Sequence, residues 1–172
     1  GPVIGGDTEY SKGYMKLSPN GTKLAMANNL AFTVDIYDFN NSSGQVSNHL
    51  QDAGFTNPGG SDPGGPYGVG FSPDSKLLYI STWKTGKQIY QYDLTAGSST
   101  AILDSKVLVA RAGQDDYSIG ALQLGPDNRL YVARWNGTFS PPGYISVFTN
   151  PIVYGPGCNF VVEGVNLGGQ GS

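Results

Sequence analysis

Cysteine is almost absent from this sequence: Cys158 is the only one among 172 residues. One thiol cannot form a disulfide within the chain or a site with several thiolate ligands, so we expect Cys158 to be a small buried apolar residue. Histidine is equally scarce, because His49 is the only one. No Gly-x-Ser-x-Gly, His-Glu-x-x-His or phosphate-loop motif is present either. The sequence therefore predicts no cofactor, no metal site and no enzyme.

Charged residues are also sparse, at 13% of the chain, and 10 basic against 13 acidic residues give a net charge of −3. Binding to the phosphates of a nucleic acid needs a basic stripe, which this sequence does not provide. Apolar runs are short as well, and none reaches the roughly 18 residues that suggest a transmembrane helix. We therefore expect neither a nucleic-acid partner nor insertion into a membrane.

Glycine and proline, by contrast, are abundant, with 26 and 11 residues. They follow no Gly-X-Y period, which favours an all-β protein whose turns separate short strands. Three similar segments begin at Met15, Val69 and Leu122, and each contains a proline followed by Asn or Asp. The prolines lie at positions 19, 73 and 126, which are 54 and 53 residues apart. So regular a spacing indicates an internal repeat.

Each repeat has the same order of predicted strands. An alternating apolar strand leads into Pro-Asn-Gly, Pro-Asp-Ser or Pro-Asp-Asn, which predicts a tight hairpin turn into a second strand. A third strand and a weaker fourth strand follow in every repeat. They are predicted at residues 33–39 and 45–50, 88–94 and 100–109, and 144–148 and 159–165.

Four antiparallel strands in about 50 residues are the construction of a β-propeller blade. The predicted fold class is therefore all-β, a single domain over residues 1–172, with blades at about 14–55, 67–112 and 119–168. Closed propellers contain roughly four to eight blades, so three blades make a partial or half propeller. The missing blades would come from a longer chain, from another protein, or from a second copy that joins three plus three blades. Closed symmetric homo-oligomers are common, and we favour self-association.

The segment Phe71-Ser-Pro-Asp-Ser-Lys-Leu-Leu-Tyr resembles the FSPDG-type propeller repeats that are related to WD40 repeats. Together with Tyr67-Gly-Val-Gly, Tyr90-Gln-Tyr-Asp-Leu and Gly120-Ala-Leu-Gln-Leu-Gly-Pro-Asp-Asn-Arg, it is similar to propeller regions of large secreted surface proteins of Bacteroidota. The resemblance covers residues 14–168. It implies a secreted or cell-surface location and an association with adhesion, type IX secretion and gliding motility, and it implies no particular ligand.

Candidate ligand-binding residues follow the second strand of each repeat. Trp83 and Trp135 occupy matching positions in the second and third repeats, and Asn29 takes that position in the first. Aligned blades would bring these positions to one rim of the disc, with Lys84 and Arg134 beside the indoles. Aromatic platforms with a few polar groups suit flat ligands such as sugar rings. The alternative is that both indoles seal the contacts between blades.

Two other polar segments have simpler explanations than a binding site. Asp38–Gly44 spaces its oxygen side chains like a calcium loop, but it lacks the glutamate of an EF-hand and fits a hairpin turn. The glycine- and proline-rich loop 57–66 is either a binding loop or a connector between blades.

The leading functional hypothesis is a non-catalytic extracellular propeller that serves as a scaffold or adhesion module for protein or glycan partners. A lectin with its glycan site at the tryptophan rim is one alternative. Another is a propeller enzyme of the lactonase or lyase kind with a metal in its central funnel. Acids that would hold the metal include Asp7, Glu9, Asp115 and Asp116.

Overall fold

The computed structural model describes residues 12–55, 64–83, 87–111, 118–135 and 143–168. Within these ranges the chain forms three separate four-stranded sheets, and each sheet is built from consecutive antiparallel strands. The predicted all-β class is confirmed, and the arrangement is that of three blades of a β-propeller. Because closed propellers contain roughly four to eight blades, this is part of a ring.

The blades follow one another along the chain. Blade 1 consists of β1 (Met15–Leu17), β2 (Lys23–Asn28), β3 (Thr33–Asn40) and β4 (Gln45–Asp52). Blade 2 consists of β5 (Pro66–Phe71), β6 (Leu77–Thr82), β7 (Gln88–Asp93) and β8 (Val107–Arg111). Blade 3 consists of β9 (Ser118–Leu124), β10 (Leu130–Trp135), β11 (Tyr144–Phe148) and β12 (Phe160–Asn166). A short helix, α1 (Ser99–Asp104), precedes β8, and a 3₁₀ helix (Gly155–Cys158) precedes β12.

The inner strands of the three blades are β1, β5 and β9, which lie side by side. Lys16 on β1 spans blade 2 and reaches β9. Its ammonium group donates to the Leu122 carbonyl oxygen at 2.5 Å and to Oε1 of Gln123 at 2.6 Å. Burial lowers the pKa of Lys16, because loss of solvent disfavours its charged form. One side chain thus ties the first blade directly to the third.

Two hydrophobic cores fill the boundaries between blades. The blade 1–blade 2 core joins Ala25, Ala27, Val34 and Ile36 of blade 1 to Val69, Phe71, Leu78, Ile80, Tyr92 and Leu94 of blade 2. The blade 2–blade 3 core joins Leu77, Tyr79, Ile89 and Ala110 of blade 2 to Ile119, Leu122, Leu130, Val132, Phe148 and Cys158 of blade 3. Blade 2 contributes to both cores because successive residues of a strand point to opposite faces. Each blade is therefore stabilised mainly by its neighbours.

Serine residues close the hairpin turns of the first two blades. The Ser72 N–H donates to the Leu77 carbonyl, and the Ser72 Oγ accepts from the Leu77 N–H, both at 2.9 Å. Ser18 makes the same pair of hydrogen bonds with Lys23. The Pro-Asn turn of blade 1 and the Pro-Asp turn of blade 2 are confirmed, and in both the serine before the proline closes the turn.

The third hairpin turn is one residue shorter. Gly125 replaces the serine, and its N–H donates to the carbonyl of Arg129, four residues later, at 2.8 Å. Consequently, the last residue of the inner strand pairs with Leu130 in blade 3, where it is Leu124, and with Leu78 in blade 2, where it is Phe71. Positions after this turn are therefore 52 residues apart in blades 2 and 3, and not 53 as the prolines suggest.

The fourth strand of the second repeat differs from the prediction. Residues 100–109 were expected to form a strand, but α1 (Ser99–Asp104) occupies the first part and the strand begins only at Val107. The Ser98 Oγ accepts a hydrogen bond from the Ala101 N–H at 3.1 Å, which caps the helix and stabilises it locally. The other two predicted fourth strands are confirmed as β4 and β12.

Two smaller expectations are confirmed. Cys158 is fully buried. The predicted hairpin at residues 38–44 consists of the end of β3 and the turn 41–44 into β4, in which the Asn40 side-chain oxygen accepts the N–H groups of Ser42 at 3.0 Å and Ser43 at 3.2 Å. In the part of the chain that the structure describes, no helix is long and apolar enough to cross a membrane.

Candidate functional site

Four aromatic side chains form a continuous row across the blades, here called the aromatic row: Tyr14, Tyr67, Trp83 and Trp135. Tyr14 meets Tyr67 edge to face, with ring centroids 5.3 Å apart, and this contact joins blades 1 and 2. Tyr67 packs against Trp83 at 4.6 Å. Trp83 stacks nearly parallel on Trp135 at 5.6 Å, which joins blades 2 and 3. These separations are typical of attractive aromatic pairs.

The strand order brings these rings together. Tyr14 precedes β1 and Tyr67 lies at the start of β5, whereas Trp83 follows β6 and Trp135 ends β10. Each inner strand is antiparallel to the second strand of its blade, so the start of one lies beside the end of the other. Backbone hydrogen bonds of 2.9 Å fix the positions, from the Tyr14 N–H to the Tyr67 carbonyl and from the Trp83 N–H to the Gly65 carbonyl.

The two ends of the aromatic row are open to solvent. Trp135 is 44% exposed and Tyr14 is 37% exposed, while Tyr67 and Trp83 are half-buried. Burial raises the pKa of Tyr67, and the neighbouring Tyr14 phenol raises it further, so the Tyr67 ring stays neutral at physiological pH. The row therefore offers an uncharged, largely apolar platform that ends in an exposed indole.

Hydrogen bonds within the fold engage two of the polar residues predicted beside the indoles, Asn29 and Arg134. Asn29 is buried, and its amide donates to the Gly65 carbonyl at 3.1 Å, which ties blade 1 to blade 2. Arg134 is also buried, and its guanidinium group lies 3.5 Å from the Val162 carbonyl and 3.9 Å from the Glu163 carboxylate on β12. Both side chains therefore contact backbone carbonyl groups within the fold. Lys84 lies outside the described residues.

Sequence reasoning missed Tyr14 and Tyr67. The two tyrosines are 53 residues apart, close to the repeat period, and this spacing was the signal that could have identified them. They lie at or just before the starts of the first strands, whereas the predicted binding residues lie at or just after the ends of the second strands.

The four acids considered for a metal in the funnel, Asp7, Glu9, Asp115 and Asp116, lie outside the described residues, as does 57–63 of the predicted loop. Among the residues that the structure does describe, no group of three or more His, Cys, Asp or Glu side chains is arranged to hold a metal ion.

A polar cluster that the sequence did not suggest surrounds Asp35, which is buried on β3. Its carboxylate lies 2.6 Å from Nε2 of His49, accepts from the Gln51 amide at 2.8 Å, and also accepts from the Asn28 amide. The His49 ring stacks on Tyr37, with centroids 4.7 Å apart. The only histidine of the chain is thus oriented by a buried carboxylate and an aromatic ring.

Comparison with known proteins gives structural matches only. No protein-family model and no curated protein sequence matches the chain. A solved "putative 6-phosphogluconolactonase" from Bacteroides fragilis is similar with a TM-score of 0.52 and 17% identity, over 78% of this chain and 33% of that one. Hydrazine synthase from Kuenenia stuttgartiensis gives a TM-score of 0.50 and 16% identity, over 86% of this chain and 36% of that one.

A weaker match is the β-propeller domain of Swd1 from Myceliophteria thermophila, with a TM-score of 0.46 and 16% identity, over 73% of this chain and 38% of that one. The chain spans about a third of the length of the solved proteins it matches. At 16% and 17% identity, the two matches with TM-scores of 0.50 and 0.52 show a shared fold and nothing more.

The prediction that this chain is not an enzyme is wrong. It rested on the lack of familiar catalytic motifs, yet the fold is shared with proteins whose names state an enzymatic activity. A propeller can build a site from loops of several blades, so the residues of such a site lie far apart in sequence and form no contiguous motif. Missing motifs are therefore no evidence against catalysis in this architecture.

Proposed function

We propose that this chain is a ligand-binding segment of a β-propeller and that the aromatic row is its binding surface. The observation that carries the proposal is the exposed indole of Trp135, held in place by its stack on Trp83. An exposed ring that is already immobilised loses little conformational entropy on binding. Among the predicted ligand classes, a glycan suits this surface best, because the apolar face of a sugar ring packs on a flat aromatic ring. A protein partner is the other class, and the same exposed ring would contact it.

The test replaces Trp135 by alanine and measures binding on a glycan array, followed by calorimetric titration with each oligosaccharide that the wild-type chain binds. Loss of a central aromatic contact costs at least about 1.4 kcal/mol, so we expect at least about tenfold weaker binding. Tyr154→Ala is the matched control, because Tyr154 is an equally exposed aromatic residue outside the aromatic row. Equal binding by wild type and Trp135→Ala would refute the proposed site.

We also propose that the chain belongs to a secreted or cell-surface protein of Bacteroidota with a scaffold or adhesion role. Support for this comes from the resemblance of Phe71-Ser-Pro-Asp-Ser and its flanking strands to the propeller repeats of such proteins. An antibody against the chain should label intact cells of its source. Labelling only after lysis would contradict the location.

The second candidate function is an enzyme of the lactonase or lyase kind. It is favoured by the fold shared with the Bacteroides fragilis protein. In the sequence, Asp7 and Glu9 precede β1, and Asp115 and Asp116 precede β9, so all four acids belong to segments that lead into inner strands. Hydrolysis of 6-phosphogluconolactone, with and without added Ca²⁺, tests this candidate. A rate equal to that of buffer alone would count against it.

A further inference from the structure

The outer side of blade 1 carries a largely apolar face against which no blade of the described residues packs, here called the open face of blade 1. It is formed by side chains that alternate with those of the blade 1–blade 2 core, because paired residues of neighbouring strands share a face. Met15 is 62% exposed and Leu17 is 49% exposed on this face. Its apolar members are Met15, Leu17, Leu24, Met26 and Tyr37. Asp35, which pairs with Met26, and Gln51, which pairs with Asp35, lie on the same face.

The same positions are buried in the other two blades. In blade 2, the equivalent paired residues of the inner strand β5 and the second strand β6 are completely or almost completely buried against blade 1. In blade 3, the equivalent positions are covered by blade 2. The equivalents are Val69, Phe71, Leu78, Ile80 and Tyr92 in blade 2, and Leu122, Leu124, Leu130, Val132 and Phe148 in blade 3. The open face of blade 1 is therefore a blade-packing face that has no neighbour within the described chain.

Among the described residues, blade 3 has the opposite kind of unpaired face, here called the open face of blade 3, formed by Tyr131, Ala133, Val147 and Val161, of which Val147 is already buried. These residues alternate with Val132 and Phe148, which point into the blade 2–blade 3 core. Ala133 and Val161 are exposed. The equivalent positions in blade 2, which include Tyr79 and Ser81, lie against blade 3. The open face of blade 3 thus corresponds to the face of blade 1 that packs on blade 2 and to the face of blade 2 that packs on blade 3.

We propose that the open face of blade 1 docks onto the open face of blade 3 of a second copy of this chain, so that two copies close a six-blade ring. Each copy carries one face of each kind, and two identical contacts related by a twofold axis leave neither face exposed. Closed, twofold assemblies are the commonest form of homo-oligomer. The contact continues the packing already present at the two blade boundaries within the chain.

The boundary between blades 2 and 3 specifies one contact of the proposed interface. The Ser81 hydroxyl donates to the Gly120 carbonyl at 2.7 Å, and the Ser81 Oγ and Leu122 Cδ1 both lie within 3 Å of a Cβ built on Gly68. Ser81 and Leu122 therefore both lie close to Gly68, where blade 2 contacts blade 3. Their equivalents on the open faces are Ala133 and Met15. In the ring, Met15 of one copy lies beside Ala133 of the other.

The experiment measures the solution mass of the chain by size-exclusion chromatography with light scattering over a range of concentrations. We expect twice the 18.1 kDa of one chain. Met15→Glu and Ala133→Arg each place a charge in the proposed contact and should raise the dimer dissociation constant at least about tenfold. An equimolar mixture of the two variants should recover the dimer, because one contact is then wild type and the other pairs Glu with Arg.

Recovery of the dimer in the mixture shows that blade 1 of one copy contacts blade 3 of the other. If blade 1 contacted blade 1 instead, mixing the two variants would not restore the dimer. Ile152→Glu is the matched control: Ile152 is exposed on the turn between β11 and β12, outside both open faces, and its variant should remain a dimer. Leu17→Glu repeats the test on blade 1 if circular dichroism shows that Met15→Glu is unfolded. A monomer at all concentrations, a mass that grows beyond the dimer, or a mixture that stays monomeric would overturn the proposal.

Discussion

Asp52, at the end of β4, connects blade 1 to blade 2 through several hydrogen bonds. Its carboxylate accepts from the Tyr92 hydroxyl at 2.5 Å, from the Gly54 N–H at 2.6 Å, and from the Lys106 ammonium at 3.0 Å. Lys106 also lies over the ring of Phe55, 3.5 Å from its centroid. Burial alone would raise the pKa of Asp52, but the three donors outweigh it and lower the pKa.

We expect Asp52→Asn to lower the free energy of unfolding by about 1–3 kcal/mol at pH 7, because Lys106 loses its charged partner. The Asp52 carboxylate makes its full contribution to the free energy of unfolding at pH values above its unfolded-state pKa of about 3.9. This contribution is lost as the pH falls through the lower pKa of the folded state. Thermal unfolding of the wild type and of Asp52→Asn at neutral and acidic pH measures the difference in stability. The exposed Asp104→Asn is the control. A stability difference that persists unchanged in strong acid would contradict this role.

At the scale of the element, the hairpin turns depend on the serine before the proline. Ser72 is fully buried and closes its turn through the Leu77 N–H. We expect Ser72→Ala to lower the free energy of unfolding by about 1–2 kcal/mol, because a buried hydrogen bond is lost. Chemical denaturation measures the change. Ser42→Ala, in the exposed turn between β3 and β4, should have almost no effect, and an equal loss in both variants would exclude a special role for the turn serine.

At the scale of the whole molecule, blade 2 couples the two cores. Leu78 belongs to the blade 1–blade 2 core and Leu77, its neighbour on β6, to the blade 2–blade 3 core. We expect Leu78→Ala and Leu130→Ala each to cost about 2–5 kcal/mol, while unfolding remains a single transition because both cores share blade 2. Differential scanning calorimetry tests this. Two separate transitions in either variant would show that the boundaries unfold independently.

Much of the fold was predictable because it rests on local chemistry. Proline with Asn or Asp sets a turn within a few residues, and alternation of apolar residues sets the strands on either side. The helix α1 was missed because a single cap by Ser98 competes with strand-like composition. The candidate site was predicted in part: Trp83 and Trp135 follow from repeat positions, but the burial of Arg134 depends on β12, which is distant in sequence.

The sequence by itself determined the class of fold, the repeat of four strands and the position of the indoles, because each follows from residues close together in the chain. Only the tertiary structure decided which faces are covered, that Lys16 reaches Leu122, and that Asp35 holds His49. The shorter turn at Gly125 also shifts every later position of blade 3 by one residue. Contacts between blades join residues far apart in the chain, from 36 positions for Asn29 and Gly65 to 106 for Lys16 and Leu122. Their partners depend on strand register and blade order, which no local pattern specifies.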